Sequence, residues 1–172
     1  MHYLQGETDF VTPADLLSLL QECYGDVLDL VQARQVHARS VTDYNANNAY
    51  QQVLGRQDVH LQWLSDAIVG LGGQVPSPGQ SQEDAVSARG EDESAQAASD
   101  VRNQRSFVER WQPRVNGVTN ARHRKMIELI MGEMREHLRV LEQAAAGRSD
   151  VLGRHADGKV LRGTVLAARP KN

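Results

Sequence analysis

The sequence predicts an all-α protein built as a four-helix bundle. Four long segments repeat apolar residues at helical spacing, and residues that favour turns or helix ends lie between them. Aromatic residues make up only 5% of the chain, so Leu, Val, Ile, Ala and Met must supply most of the core. That composition favours packed helices over a β-sandwich, which depends more on aromatic and β-branched side chains.

The first two helices are predicted to form an antiparallel pair. Thr12-Pro13-Ala14-Asp15 has the features of a helix start: a capping hydroxyl, a proline suited to the first turn and an early carboxylate. We expect the first helix to run from about 13 to about 40. The second follows the turn at 42–45 and ends at Gly70-Leu71-Gly72-Gly73. Because the connection is short, the two helices should be neighbours.

A long connection separates this pair from a second pair. The stretch 74–98 is rich in Pro, Gly and polar residues and has no apolar stripe, so we predict a crossover linker there, with a helical part near 94–98 as the alternative. The third helix carries the apolar residues between Val101 and Val118, and Pro113 is expected to kink or break it. The fourth is expected over about 121–146. The predicted domain organisation is a bundle over 1–146 and a basic, Gly-containing, irregular tail over 147–172.

Several classes of protein are disfavoured by composition. The net charge of −3 gives no reason to expect a nucleic-acid partner. The single cysteine, Cys23, excludes an internal disulfide and a zinc site built on several thiolates, and its spacing predicts a small buried apolar residue. The first residues do not resemble a signal peptide, and no apolar stretch approaches the roughly 20 residues that span a bilayer. We therefore expect a cytoplasmic protein with no membrane partner.

Two of the predicted helices carry the same local pattern. His60 and His137 are each followed by Leu and by a second Leu three residues later. Gln57 and Met134 lie three residues before these histidines, and residues at that spacing share one face of a helix. Both pairs fall on apolar stripes and should face the bundle interior. In di-metal bundles, Glu-x-x-His occupies this place on two helices, and each of the other two helices supplies one further Glu.

On these residues the chain resembles the ferritin-like superfamily, which includes rubrerythrins and bacterioferritins. The resemblance covers about 13–146 and rests on the helix order, the long connection and the paired histidines. It implies a ferritin-like four-helix bundle with a long crossover between helices 2 and 3, and iron or manganese as the cofactor. The chain departs from the family at Gln57 and Met134, which stand where the family has glutamates. An amide and a thioether cannot bridge two hard cations as carboxylates do.

Two interpretations of function remain open at this stage. In the first, the chain binds iron or manganese for redox or storage chemistry through a shifted set of ligands. These candidate ligands are His60, His137, Glu133, Glu109 and Asp26. In the second, no metal is bound, hydrogen bonds satisfy the two histidines in the core, and the bundle is a structural or partner-binding module. No catalytic residue is assigned, because the sequence has no local nucleophile or phosphate-loop motif.

Two further expectations concern the surface. The remaining histidines, including His37 among its neighbouring arginines, are predicted to lie outside the core. By analogy with other bundles, whose long helices often leave an apolar flank, we expect a homodimer.

Overall fold

The computed structural model describes residues 12–77 and 93–148, which form four α-helices. The helices are α1 (Pro13–Ala38), α2 (Tyr44–Gly70), α3 (Glu93–Val115) and α4 (Ala121–Ala145). No β-strand occurs in these two ranges. The all-α, four-helix class predicted from the sequence is therefore confirmed.

The helix ends follow the expected local chemistry. Thr12, Asp43 and Asn120 each accept a backbone N–H through the side chain at the starts of α1, α2 and α4. The turn after α2 contains Gly72 with φ of 77°, a left-handed conformation that glycine adopts at low cost. These caps explain why the predicted bounds of α1, α2 and α4 lie close to the observed ones.

The helices pack as two hairpins, α1–α2 and α3–α4, joined through α1 on α3 and α2 on α4. Across α1 and α3, His37 lies beside Asp100 and Glu22 lies beside Arg114, so residue numbers rise in opposite directions. The start of α4 lies beside the end of α2, so this pair is also antiparallel. Consequently α2 and α3 run parallel and occupy opposite corners of the bundle.

The predicted crossover falls mainly on 78–92, outside the described residues. Its two visible ends lie at opposite ends of the bundle. Gln74 accepts a hydrogen bond from Gln21 near the start of α1, whereas Glu93 accepts one from Thr42, just beyond the end of α1. The predicted linker, 74–98, was too long at its second end, because α3 already begins at Glu93. Of the predicted tail, 149–172 also lies outside the described residues.

The third helix differs from expectation at both ends for identifiable reasons. Its first turns face the core with Gln96, Asp100 and Gln104 rather than with apolar residues, so no apolar stripe marks them in the sequence. Toward its other end, Pro113 does not break α3, which ends two residues later at Val115. The missing N–H removes one intrahelical hydrogen bond, to the carbonyl four residues earlier, and only two helical residues follow the proline.

The least exposed apolar side chains are concentrated in the half of the bundle where α1 begins, and further buried apolar residues lie toward the other end. Burial is complete or nearly so for a set drawn from all four helices: Leu20, Cys23, Val27, Leu64, Ile68, Trp111, Ile127 and Ile130. The predicted burial of Cys23 is thus confirmed, and burial raises the pKa of its thiol to about 12. No described helix has the length and hydropathy needed to cross a membrane.

Candidate functional site: a buried polar layer

A layer of buried polar side chains crosses the bundle near its middle. We call the following six residues, drawn from all four helices, the polar layer: Arg34, Gln57, His60, Gln104, Met134 and His137. Helical spacing brings them inward, because Gln57 and His60, and likewise Met134 and His137, are three residues apart on one face. The layer lies where the two hairpins meet.

Arg34 lies at the centre of the layer and is fully buried. Its two terminal nitrogens donate to amide oxygens, at 2.5 Å to Gln57 Oε1 and 3.0 Å to Gln104 Oε1. Its Nε has no hydrogen-bond partner. Burial lowers the pKa of Arg34, and the charge of Asp100 opposes that shift. Among the described residues no carboxylate lies within ion-pair distance of this guanidinium. Its buried positive charge is therefore hydrogen-bonded by neutral amides.

The two glutamines extend the same network to α4. Gln57 Nε2 lies 3.6 Å from Met134 Sδ. Gln104 Nε2 donates to Met134 O at 2.9 Å and lies 3.2 Å from Met134 Sδ. Each amide therefore accepts from Arg34 on one side and faces Met134 on the other. This closes a set of contacts that ties α1 and α2 to α3 and α4.

The two histidines stack against each other, with ring centroids 5.8 Å apart. His60 Nε2 donates to Glu133 Oε2 at 2.8 Å, and Arg56 holds the same carboxylate through two hydrogen bonds. That donation leaves the lone pair of His60 on Nδ1, which has no partner. Burial lowers the pKa of both histidines, and His60 and Arg34 add to the effect on His137, whose pKa falls to about 4. Both rings are therefore neutral at pH 7.

A second buried group lies beside the layer. Asp100 accepts hydrogen bonds from Tyr50 Oη at 2.8 Å and from His37 Nδ1 at 2.9 Å. Burial and the adjacent carboxylate raise the pKa of Tyr50. The prediction that His37 lies on the surface was wrong: it is 6% exposed, because Asp100 supplies the partner that allows an imidazole to be buried.

The structure brings together three of the five residues predicted to bind metal. Glu133 contacts His60, which stacks on His137. Asp26 lies on the α1–α3 face, where it accepts from Trp111 Nε1 at 2.7 Å, and it is eight residues before Arg34, or about 12 Å along the helix. Glu109 is exposed on α3. The predicted five-residue site is therefore not assembled. Within 12–77 and 93–148, no three His, Cys, Asp or Glu side chains are placed to hold a metal ion.

Arg34, Gln104 and Asp100 were not predicted as part of any site. A weak signal for each exists in the sequence. Arg34 follows the buried Val27 by seven residues and therefore continues the inward stripe of α1. Asp100 and Gln104 are four residues apart and continue the stripe that Phe107 and Trp111 mark in α3. Polar residues at such positions are normally assigned to solvent, which hides them from a search for apolar periodicity.

Comparison of this chain with protein families, with curated proteins and with solved structures found no match. The chemistry of the polar layer therefore provides the basis for assigning a function. The layer offers one fixed cation, two amides, a thioether and two neutral imidazoles. Within the described ranges, two carboxylates lie next to the layer. Glu133 is engaged by Arg56 and His60, and Asp100 is engaged by Tyr50 and His37.

Proposed function

We propose that this chain is a ferritin-like bundle whose metal site has been replaced by a buried arginine, and that it acts as a structural or partner-binding module without a catalytic metal. The observation that carries the proposal is the position of Arg34. Its guanidinium is buried between the helices, as the cations of carboxylate-bridged bundles are.

The six residues of the polar layer support this proposal position by position. A di-metal bundle takes Glu-x-x-His from two helices and one Glu from each of the other two. Here Gln57 precedes His60, and Met134 precedes His137, at that spacing. The residues that meet them from the remaining helices are Arg34 and Gln104. Both histidines remain, whereas the four carboxylate positions hold one cation and three neutral groups.

Electrostatics disfavour a metal ion in such a layer. A divalent cation about 5 Å from a guanidinium is repelled by about 7 kcal/mol at an effective dielectric constant of about 20. A di-metal site offsets the repulsion between its ions with several carboxylates, and this layer contains none. The Arg34 charge thus supplies within the chain the positive charge that a metal would otherwise bring. An iron or manganese protein with a shifted ligand set is the competing proposal.

Metal analysis of the purified protein distinguishes the two proposals. We expect protein grown in medium enriched in iron and manganese to contain no stoichiometric metal and to show no iron absorption band. The His60→Ala and His137→Ala variants should have the same metal content as the wild type. Stoichiometric iron or manganese that is lost in both variants would overturn the proposal and favour the shifted site.

The predicted homodimer belongs to the same proposal, since a partner-binding module needs a partner. In the part of the chain that the structure describes, three large apolar side chains are more than half exposed: Tyr44, Val69 and Leu129. Sedimentation velocity over a range of concentrations tests whether a second copy is that partner. A single species with the mass of one chain at every concentration would exclude the homodimer and leave a different partner.

A further inference from the structure

A cavity of about 350 Å³ lies between the end of α2 and the start of α4. Its lining residues are Trp63, Asp66, Ala67, Gly70, Leu71, Arg122, His123 and Met126. It lies outside the polar layer and has no role in the function proposed above. Cavities of this size between bundle helices, mainly apolar with a few converging polar groups, are typical sites for small molecules.

The floor of the cavity is apolar and is held in place by the core. Trp63, Ala67, Leu71 and Met126 are partly buried and pack against the main core. His60 lies beside the Trp63 ring, with centroids 5.9 Å apart. A flat indole and a polarizable thioether form a surface suited to an aromatic ring.

The rim of the cavity has an unmatched positive charge. Arg122 has no hydrogen-bond or ion-pair partner among the described residues. His123 Nδ1 is buried without a hydrogen-bond partner. The next two cations along α4 differ, because Arg124 and Lys125 both pair with Glu128.

Asp66 is the single carboxylate among the described residues that line the cavity. Its Oδ1 accepts a hydrogen bond from Gln62 Nε2 at 2.8 Å, so one oxygen is already satisfied on its own helix. Asp66 and Arg122 are not within ion-pair distance of each other, which leaves the guanidinium free to bind a ligand anion.

A second cavity, of about 410 Å³ between α1 and α3, lacks this feature. Its cation, Arg110, already pairs with Glu22 and with Asp26. A further carboxylate, Asp29, lines the same cavity. Because its positive charge is already paired, this second cavity has no comparable demand for an anion.

We propose that the cavity between α2 and α4 binds a small aromatic carboxylate. The ring of the ligand lies on Trp63 and Met126, and its carboxylate accepts hydrogen bonds from Arg122 and from the His123 imidazole. A guanidinium and a carboxylate pair through charge-assisted hydrogen bonds, which are about twice as strong as neutral ones. This site is independent of the metal question, so either proposal can fail without the other.

Tryptophan fluorescence provides the measurement, with 1-naphthoate and the neutral 1-naphthamide as probes near pH 7. We expect saturable quenching by naphthoate, and binding of naphthamide roughly tenfold weaker, because the amide lacks the charge that Arg122 recognises. Trp63→Phe should remove the quenching. The other tryptophan, Trp111, is fully buried beside Asp26 and does not line the cavity.

Two matched variants separate a specific site from general attraction of an anion. Arg122→Gln should weaken naphthoate binding roughly tenfold or more while leaving naphthamide binding unchanged. Lys125→Gln removes a charge from the same helix start but outside the cavity, and it should change neither affinity. Equal losses in the two variants, equal affinities for the two probes, or no saturable quenching would each overturn the proposal.

Discussion

Arg34 buries a positive charge that the surrounding core must offset. A guanidinium stays protonated at any ordinary pH, so its burial places a permanent positive charge among amides. The negative charge of Asp100, which is also buried, opposes the effect of burial on the pKa of Arg34. The two residues should therefore be coupled although they share no hydrogen bond.

Asp100→Asn tests this coupling. It should lower the free energy of unfolding by about 3 kcal/mol, because it leaves the Arg34 charge uncompensated and weakens hydrogen bonds from Tyr50 and His37. In an Arg34→Met background the same change should cost at least about 1 kcal/mol less. Urea denaturation of the four proteins in the cycle measures both values.

Asp29→Asn, at an exposed carboxylate of α1, is the control, with an effect below about 0.5 kcal/mol. Strict additivity of the two core changes would contradict the coupling.

His137 makes the stability of the bundle dependent on pH. Its pKa in the folded protein is about 4, below the ordinary value of 6.5, because burial and nearby positive charges disfavour the imidazolium. The unfolded chain takes up a proton near pH 6.5, whereas the folded chain resists until about pH 4. The stabilisation is therefore complete above pH 6.5 and is lost as the pH falls to about 4. The lowered pKa of His60 acts in the same direction.

His137→Gln removes this titration. It should flatten the acid limb of the plot of unfolding free energy against pH. Between about pH 7 and about pH 4.5, the wild type should lose about 2 to 3 kcal/mol more stability than the variant. Chemical denaturation at several pH values gives the comparison. His123→Gln, at a more exposed histidine whose pKa is also lowered, should flatten the limb less. Identical acid limbs for the wild type and His137→Gln would show that His137 is not the group responsible.

At the scale of the elements, apolar periodicity together with caps predicted three of the four helices closely. The bounds of α1, α2 and α4 were recovered because their inward faces are largely apolar and their starts carry Thr12, Asp43 and Asn120. The start of α3 was missed because its inward face there is polar, with Asp100 and Gln104 in place of apolar residues. Apolar periodicity identifies a helix from the apolar residues on its buried face. It fails where that face is polar and packs against other polar groups.

Glycine substitutions test the helix and turn assignments in α2. Gly55 is exposed in the middle of the helix, and a Cβ added there would contact nothing within 4 Å. Gly55→Ala should raise the free energy of unfolding by about 0.5 to 1 kcal/mol, because alanine loses less backbone entropy on folding. Gly72→Ala adds the same methyl group at φ of 77° and should instead cost about 1 kcal/mol. Thermal or urea unfolding measures both. Effects of the same sign would contradict the assigned end of α2.

At the scale of the whole molecule, only part of the polar layer could be predicted from the sequence. The two histidines and the residues three positions before them were recognised, because each pair lies within one helix. Arg34 and Gln104 are 70 residues apart, and only the packing of α1 on α3 brings them into contact. Glu109 and Asp26 lie apart from the layer for the same reason, since proximity to an apolar stripe does not establish which face meets which helix. A layer built from four helices therefore becomes evident only when all four are placed.

Placing glutamate at the four positions that the proposal equates with metal-binding carboxylates tests that proposal directly. The variant carries Arg34→Glu, Gln57→Glu, Gln104→Glu and Met134→Glu and keeps both histidines. Four buried carboxylates repel one another, so the metal-free variant should unfold at a lower temperature than the wild type or lack cooperative unfolding. Manganese should restore cooperative unfolding and raise the midpoint as its concentration rises, because an ion that binds only the folded state stabilises it.

Circular dichroism with manganese titration follows the change, and the same variant with His60→Ala and His137→Ala provides the control. A variant that gains no stability from manganese, or gains the same amount without the histidines, would show that these six positions do not form a di-metal site.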